Sequence, residues 1–352
     1  MAVCGTEVAH TVLYVAADMV ENNTSIVTTS MAATNREMEK PLLNSSATSR
    51  ILVIGATGYI GRFVAQEAVA AGHPTYALIR PFTASDQAKA QRVQELKDSG
   101  VHILYGCLSD HNSLVNTMKD MDVVISTMGG REITEQLMIV DAIKEVGTVK
   151  RFLPSEFGHD IDKAEPVEPG LTFYNEKRKI RRAVEAANIP FTYICCNSIA
   201  GWPYFYHTHP SELPPPTEQF EIYGDGNVKA YFVTGSDIGK YTIKTVDDIR
   251  TVNKTVHFRP PKNFLTLNEL AAIWEKKISK TLPRVCISEQ DLLAIAKANY
   301  LPESIVASLT HDIFIHGCQY KFEIDGHHDL EVCELYPEES YTAVDGFFDE
   351  YL

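Results

Sequence analysis

A dinucleotide pyrophosphate needs three things in order: a buried strand end, glycines in the turn, and a helix start. The run Ile51–Ile54, then Gly55-Ala56-Thr57-Gly58-Tyr59-Ile60-Gly61, then the helical pattern from Phe63 to Val69 has that order. Gly55 allows the tight turn, Gly58 lets the backbone meet a phosphate, and Gly61 lets helix and strand pack closely. The helix start adds free N–H groups and partial positive charge. The next apolar run, Thr75–Ile79, ends in Arg80. A site selective for NAD would set an acid there to accept from the ribose 2′-hydroxyl, whereas an arginine pairs with a 2′-phosphate. Lys89, read as lying in the following loop, adds a second positive charge. The expected cofactor is NADPH.

Lys177 is the second candidate. At 100° per residue, Phe173, Ile180, Val184 and Ala187 share one helix face, and Lys177 falls among them. An ammonium on an apolar stripe either snorkels to water or lines a wet cleft, where burial lowers its pKa and suits it to acid–base work. Arg181, one turn on at the edge of that stripe, is read as a helper for a cofactor phosphate or ribose, or as ordinary surface. His159 follows the strand-like Arg151–Leu153 in a loop, and its ordinary pKa fits proton transfer near neutrality. The Tyr-x-x-x-Lys pairing that reduces simple ketones on such scaffolds is absent. Phe173 stands four before Lys177, and Tyr174, three before, is expected to face elsewhere.

These residues need a scaffold, and the remaining pattern supplies one. Strand-like runs Val101–Tyr105, Val123–Ser126, Arg151–Leu153 and Phe191–Cys195 alternate with helical stretches including Glu132–Val146 and Leu171–Ala187. This is the rhythm of an α/β doubly wound parallel sheet, Rossmann-like, with a smaller mixed α/β substrate domain. Small residues in Ser126-Thr-Met-Gly-Gly130 would let a cofactor lie close. The expected division is a disordered extension over 1–49, a cofactor domain over 50–200 with a returning segment at 228–250, and a substrate domain over 201–227 and 251–352. Within it, Ile199–Tyr206 and Pro214–Pro216 read as a loop-rich cover, Tyr223–Gly226 as a turn, and Asp237–Gly239 as a helix start.

Composition bounds the rest. The 352 residues are 45% hydrophobic, and 32 basic against 46 acidic residues give −14, which argues against an electrostatic nucleic-acid binder. No apolar run reaches the ~18 residues of a membrane span. Seven cysteines (4, 107, 195, 196, 286, 318, 333) show no C-x-x-C pair, so they read as free thiols packed as small hydrophobes. His207, His209, His327 and His328 lack a third ligand type at a zinc-like spacing, so no metal site is expected. Thr11–Ala17 has neither the basic flank nor the cleavage site of a secretory signal, and the chain is read as cytoplasmic with no obligate protein partner.

From Ile51 onward the chain resembles the atypical short-chain reductases that include isoflavone, pinoresinol–lariciresinol and phenylcoumaran benzylic ether reductases. The Gly-Ala-Thr-Gly-Tyr-Ile-Gly turn, Pro154-Ser-Glu-Phe-Gly158 and Lys177-x-x-Ile-Arg-Arg182 carry that likeness. Arg151–Asp160, Ile194-Cys-Cys-Asn197 and Thr310-His-Asp312 are similar to leucoanthocyanidin reductases in particular. The resemblance implies NADPH-dependent reduction of flavan-3,4-diols to 2,3-trans-flavan-3-ols such as catechin, with Lys177 as the acid–base residue and His159 beside it. An isoflavone or benzylic ether reductase is the alternative on the same scaffold. A non-catalytic NADP sensor is a further one, against which Lys177 counts.

Overall fold

A computed structural model describes residues 48–81, 87–200 and 215–352. Cys4, Thr11–Ala17, Trp202–Tyr206, His207, His209 and Pro214 lie outside the described residues. No helix among those described is long and apolar enough to cross a membrane.

The first half alternates strictly: β1 (Ile51–Ile54), α1 (Tyr59–Ala70), β2 (Thr75–Ile79), α2 (Gln87–Asp98), β3 (His102–Tyr105), α3 (His111–Met118), β4 (Val123–Ser126), α4 (Gln136–Val146), β5 (Arg151–Leu153), α5 (Gly170–Ala186) and β6 (Thr192–Cys195). The first five strands pair in parallel in the order β3-β2-β1-β4-β5. Phe152 bridges to Phe191, and its N–H donates to Pro190 O at 2.8 Å, which extends the sheet to β6. The fold class is therefore α/β with a doubly wound parallel sheet. The order reverses between β1 and β4, the crevice where such sheets bind ligands.

The chain continues through β7 (Ser198–Ile199), β8 (Phe220–Tyr223), β9 (Lys229–Val233), α6 (Gly235–Val246), β10 (Lys254–His257), β11 (Phe264–Thr266), α7 (Leu267–Ile278), β12 (Arg284–Ile287), α8 (Glu289–Lys297), α9 (Glu303–Phe314) and β13 (Asp329–Glu331). Two cores flank the main sheet. Val64, Ala65 and Ala68 of α1 and Leu96 of α2 pack with Ile238 and Tyr241 of α6 on one face. Leu114, Ile139, Ile143, Ile180 and Val184 cover the other. A third core, around Phe220, Phe232, Leu267, Trp274 and Phe348, belongs to the smaller lobe.

The structure shifts the expected boundaries. Ala47–Leu352 forms one compact unit. β10 and β13, expected in the substrate domain, join this side of the sheet: β10 pairs in parallel with β6 and β13 in parallel with β10, and Val256, Phe258, Val332 and Tyr336 join the sheet's core. The chain after residue 250 thus returns to the main sheet twice before it ends. The predicted helix Glu132–Val146 is two pieces, a short helical stretch Gly130–Glu135 and then α4.

The glycine turn is held by sterics. Gly55 has φ +91°, and a Cβ there would stand 2.7 Å from Thr127 Oγ1. A Cβ at Gly61 would lie 2.2 Å from Gly55 O, so only glycine lets α1 sit this close to the strand end. Gly61→Ala should therefore lower stability by ~1–3 kcal/mol through overpacking. Gly129→Ala, whose Cβ meets nothing within 4 Å, should change it by less than ~0.5 kcal/mol. Urea denaturation of both variants checks the contrast.

Candidate active site

A cleft of about 500 Å³ opens at the carboxyl ends of β1, β4 and β5. Its floor is the turn before α1. Gly55, Thr57, Gly58, Tyr59 and Ile60 line it, whereas Ala56 is fully buried in the core and Gly61 packs against the turn. Gly58 caps α1 with no side chain, and the first turn of that helix carries no acid. The positive end of the helix thus meets the cleft with no carboxylate beside it, as an anionic diphosphate requires. A second cavity of about 240 Å³ continues from Gly55 and Arg80 past Gly106 to Met138. This turn, open helix start and elongated double cavity fit a dinucleotide.

Arg80 stands where the sequence predicts, at the end of β2, and lines both cavities. It is not alone there. Its Nη1 donates to Glu132 Oε1 at 2.7 Å, with both side chains well exposed. No acid stands near Arg80 in the sequence, because Glu132 comes from the short helical stretch Gly130–Glu135, 52 residues away. Lys89 lies inside α2 rather than in a loop, and its side chain falls outside the described residues.

Lys177 lines the cleft together with Phe173, Phe157 and Ile199. It is half-buried, and its Nζ donates to the Glu156 carbonyl at 2.7 Å and stands 5.6 Å from the Phe173 ring centre. Burial pushes its pKa below the ordinary lysine value. The Glu156 carboxylate opposes that shift and the Arg181 cation adds to it. Such a lysine gives up its proton more readily than one in water.

Arg181 is not at the rim, and it does not line the cleft. It is 2% exposed, with Nη1 donating to Asp160 Oδ1 at 2.8 Å and Asp162 Oδ2 at 3.0 Å, and Nη2 to Glu156 Oε2 at 3.0 Å. Tyr174 also departs from expectation. It is buried, packs on Ile161, Ala164 and Cys318, and its hydroxyl is hydrogen-bonded to Nε2 of His159. The buried face of α5 is thus rotated from the apolar stripe, because the 154–164 loop and α9 cover its flank with polar groups that satisfy one another. Hydrophobic periodicity cannot see such a face.

His159 is 5% exposed and does not line the described part of the cleft. It sits behind Lys177, its ring edge-on to Tyr174 and its Nε2 3.9 Å from Asp312 Oδ2. Loss of hydration, helped by the Lys177 charge, brings its pKa down to about 3. It is therefore neutral at physiological pH, contrary to the titrating histidine the sequence predicts. Of the remaining thiols, Cys195, Cys196 and Cys318 are buried as expected, and burial raises each of their pKa values. Cys107 and Cys286 are exposed instead. His327 and His328 occupy a surface turn around Asp325.

The model of the NmrA-like family matches residues 47–348. The chain belongs to the NmrA-like family. Within it, the chain is 53% identical to a leucoanthocyanidin reductase of Desmodium uncinatum over 310 residues, covering 88% of this chain and 81% of the relative. It is 50% identical to a phenylcoumaran benzylic ether reductase of Ginkgo biloba, covering 86% of this chain and 99% of that one. The solved binary complex of leucoanthocyanidin reductase with NADPH from Vitis vinifera is 56% identical, with a TM-score of 0.82 over 86% of this chain and 99% of that chain. A crystal structure of isoflavone reductase is 39% identical, with a TM-score of 0.79 over 87% of this chain and 100% of that chain.

The His159 environment fixes the sign of an acid effect in this NmrA-like chain. Its pKa is about 3 in the folded chain against 6.5 ordinarily, so between those values the unfolded chain binds more protons and stability falls as pH falls. From pH 7 to pH 5 the wild type should lose about 2 kcal/mol more than His159→Gln. Denaturant titrations at the two pH values measure the difference.

Proposed function

We propose that the chain is an NADPH-dependent reductase of the leucoanthocyanidin reductase type, converting flavan-3,4-diols such as leucocyanidin to 2,3-trans-flavan-3-ols such as catechin. The observation that carries this reading is Lys177 in the wall of a dinucleotide-shaped cleft, with its proton affinity lowered and no tyrosine beside it in the ketone-reducing spacing. The likeness to leucoanthocyanidin reductases, including one solved with NADPH, supports it. The working place is the cytoplasm, a reducing compartment in keeping with free thiols at the six described cysteines.

The chemistry asks for a base before it asks for a hydride. An sp³ alcohol carbon cannot accept hydride until its hydroxyl has left. Neutral Lys177 takes the proton of the ring phenol, electron density from the phenolate expels the benzylic hydroxyl, and C4 becomes the electrophilic end of a quinone methide. The departing hydroxyl takes up a proton from solvent and leaves as water, while His159, neutral and hydrogen-bonded to Tyr174 behind Lys177, keeps a positive charge off that side of the lysine. When bound, the dinucleotide supplies the hydride that fills C4. Lys177 then returns its proton to the phenolate, so each turnover consumes NADPH and a proton and releases NADP⁺ and water.

Arg80 would hold the 2′-phosphate after releasing Glu132, and the N–H groups at the start of α1 would hold the diphosphate. A benzylic ether reductase would use the same lysine on a different leaving group, and the 50% identity to the Ginkgo biloba enzyme keeps that substrate class in the panel.

Two outcomes follow. Lys177→Met should abolish NADPH oxidation with 3,4-cis-leucocyanidin and leave NADPH binding within about twofold, by turnover and fluorescence titration; normal turnover would sink the assignment. Arg80→Ala should weaken NADPH by at least ~10-fold, as loss of a charge-assisted phosphate contact does. NADH affinity should stay unchanged.

A further inference from the structure

Glu156 uses its two ends on two residues of one helix. Its main-chain carbonyl accepts from Lys177 Nζ at 2.7 Å, and its Oε2 accepts from Arg181 Nη2 at 3.0 Å. Lys177 and Arg181 are four residues apart on α5, so Glu156 lies across adjacent turns of a single face. Arg181 is itself fixed, by Asp160 and Asp162 and by the Tyr193 ring 4.5 Å away. The side chains of Glu156, Asp160 and Arg181 are each 2% exposed. The reaction as read above gives this buried fork no work.

We propose that Glu156 and Arg181 form a positioning pair that fixes the Lys177 ammonium in the cleft wall and sets how readily it releases its proton. The proposal rests on the acid–base role of Lys177 read above. A lysine stem is flexible, and a carbonyl can localise its ammonium only if the carbonyl is itself held. The loop after β5 is pinned on one side by Ser155, whose N–H donates to Gln136 Oε1 at 2.8 Å and whose hydroxyl donates to Met128 O, and on the other by the Glu156 carboxylate–Arg181 guanidinium bond, so the carbonyl between them is held from both sides.

The charges act in the same place. The titratable groups that face Lys177 are Glu156 and His159 from the loop after β5, Arg181 from α5, and Cys195 and Cys196 from the end of β6. Among the charged ones, Glu156 strengthens the hold on the proton and Arg181 weakens it. Arg181 therefore damps the carboxylate it binds, and loss of hydration is left to decide. Removing the guanidinium outright would leave buried carboxylates without a cation, which proteins tolerate poorly. Milder changes make the better test. Glu156→Gln keeps the shape and an oxygen for Arg181 while deleting the charge. Arg181→Lys keeps a cation while breaking the fork.

The readout is the pH dependence of Lys177 acylation by trace acetic anhydride on the full ligand-free chain, followed by peptide mass spectrometry. In Glu156→Gln the midpoint should fall by about one pH unit. In Arg181→Lys it should rise, because the carboxylate is less fully neutralised. The acid limb of kcat/KM with leucocyanidin should move the same way in each variant. Midpoints that stay at the wild-type value in both variants, with only the melting temperature lowered, would overturn the proposal and leave the pair a purely structural clamp. Labelling needs no substrate. Labelling shifts in the two variants, together with a wild type that never turns over leucocyanidin, would therefore contradict the functional reading and not this one.

Discussion

A single cation held against an apolar wall organises the site. Lys177 lines the cleft with Phe173 and Phe157, and its Nζ donates to the Glu156 carbonyl. Water is largely withdrawn from that ammonium, so it sheds its proton more easily than a surface lysine. That property depends on where α5 sits. Ile180 and Val184 press the helix onto the sheet, Tyr174 presses it onto the 154–164 loop, and Arg181 ties helix and loop together through carboxylates. Remove the tie, and neither the position nor the proton affinity of the lysine is specified.

The cofactor side is simpler because it is local. Gly55 and Gly61 are demanded by close backbone approach within one turn, so their roles are legible from seven consecutive residues. Arg80 is legible for the same reason, as the end of a strand whose neighbour holds the turn. The strand rhythm likewise gives the parallel sheet and places Lys177 on the cleft side of α5. Long-range pairing is not written in any short window. Glu132 meets Arg80 across 52 residues, and β10 returns to β6 and β13 to β10 although nothing in their own sequence distinguishes them from strands of the smaller lobe.

The buried polar cluster leaves the weakest trace in the sequence. Periodicity counts apolar residues, and Tyr174, Arg181, His159 and Asp160 are buried because they satisfy one another rather than because they are apolar. A histidine in a loop reads as a titrating surface group until the loop is seen folded under α5 and α9. Its protonation then becomes costly, and it stays neutral near pH 7. The same cluster explains why a resemblance resting on Arg151–Asp160, Ile194–Asn197 and Thr310–Asp312 is not scattered. His159, Cys195 and Asp312 come from those three stretches and converge behind the one lysine.

If Lys177 drives off the hydroxyl first, hydride reaches C4 of the flavan-3,4-diol and no other carbon. The most direct measurement follows deuterium from [4-²H]NADPH into the product of 3,4-cis-leucocyanidin, read by NMR with wild-type protein and Lys177→Met side by side. The account predicts catechin labelled at C4 with the wild type and no labelled flavan-3-ol with the variant. Label at another carbon, or labelled catechin formed equally by Lys177→Met, would contradict it.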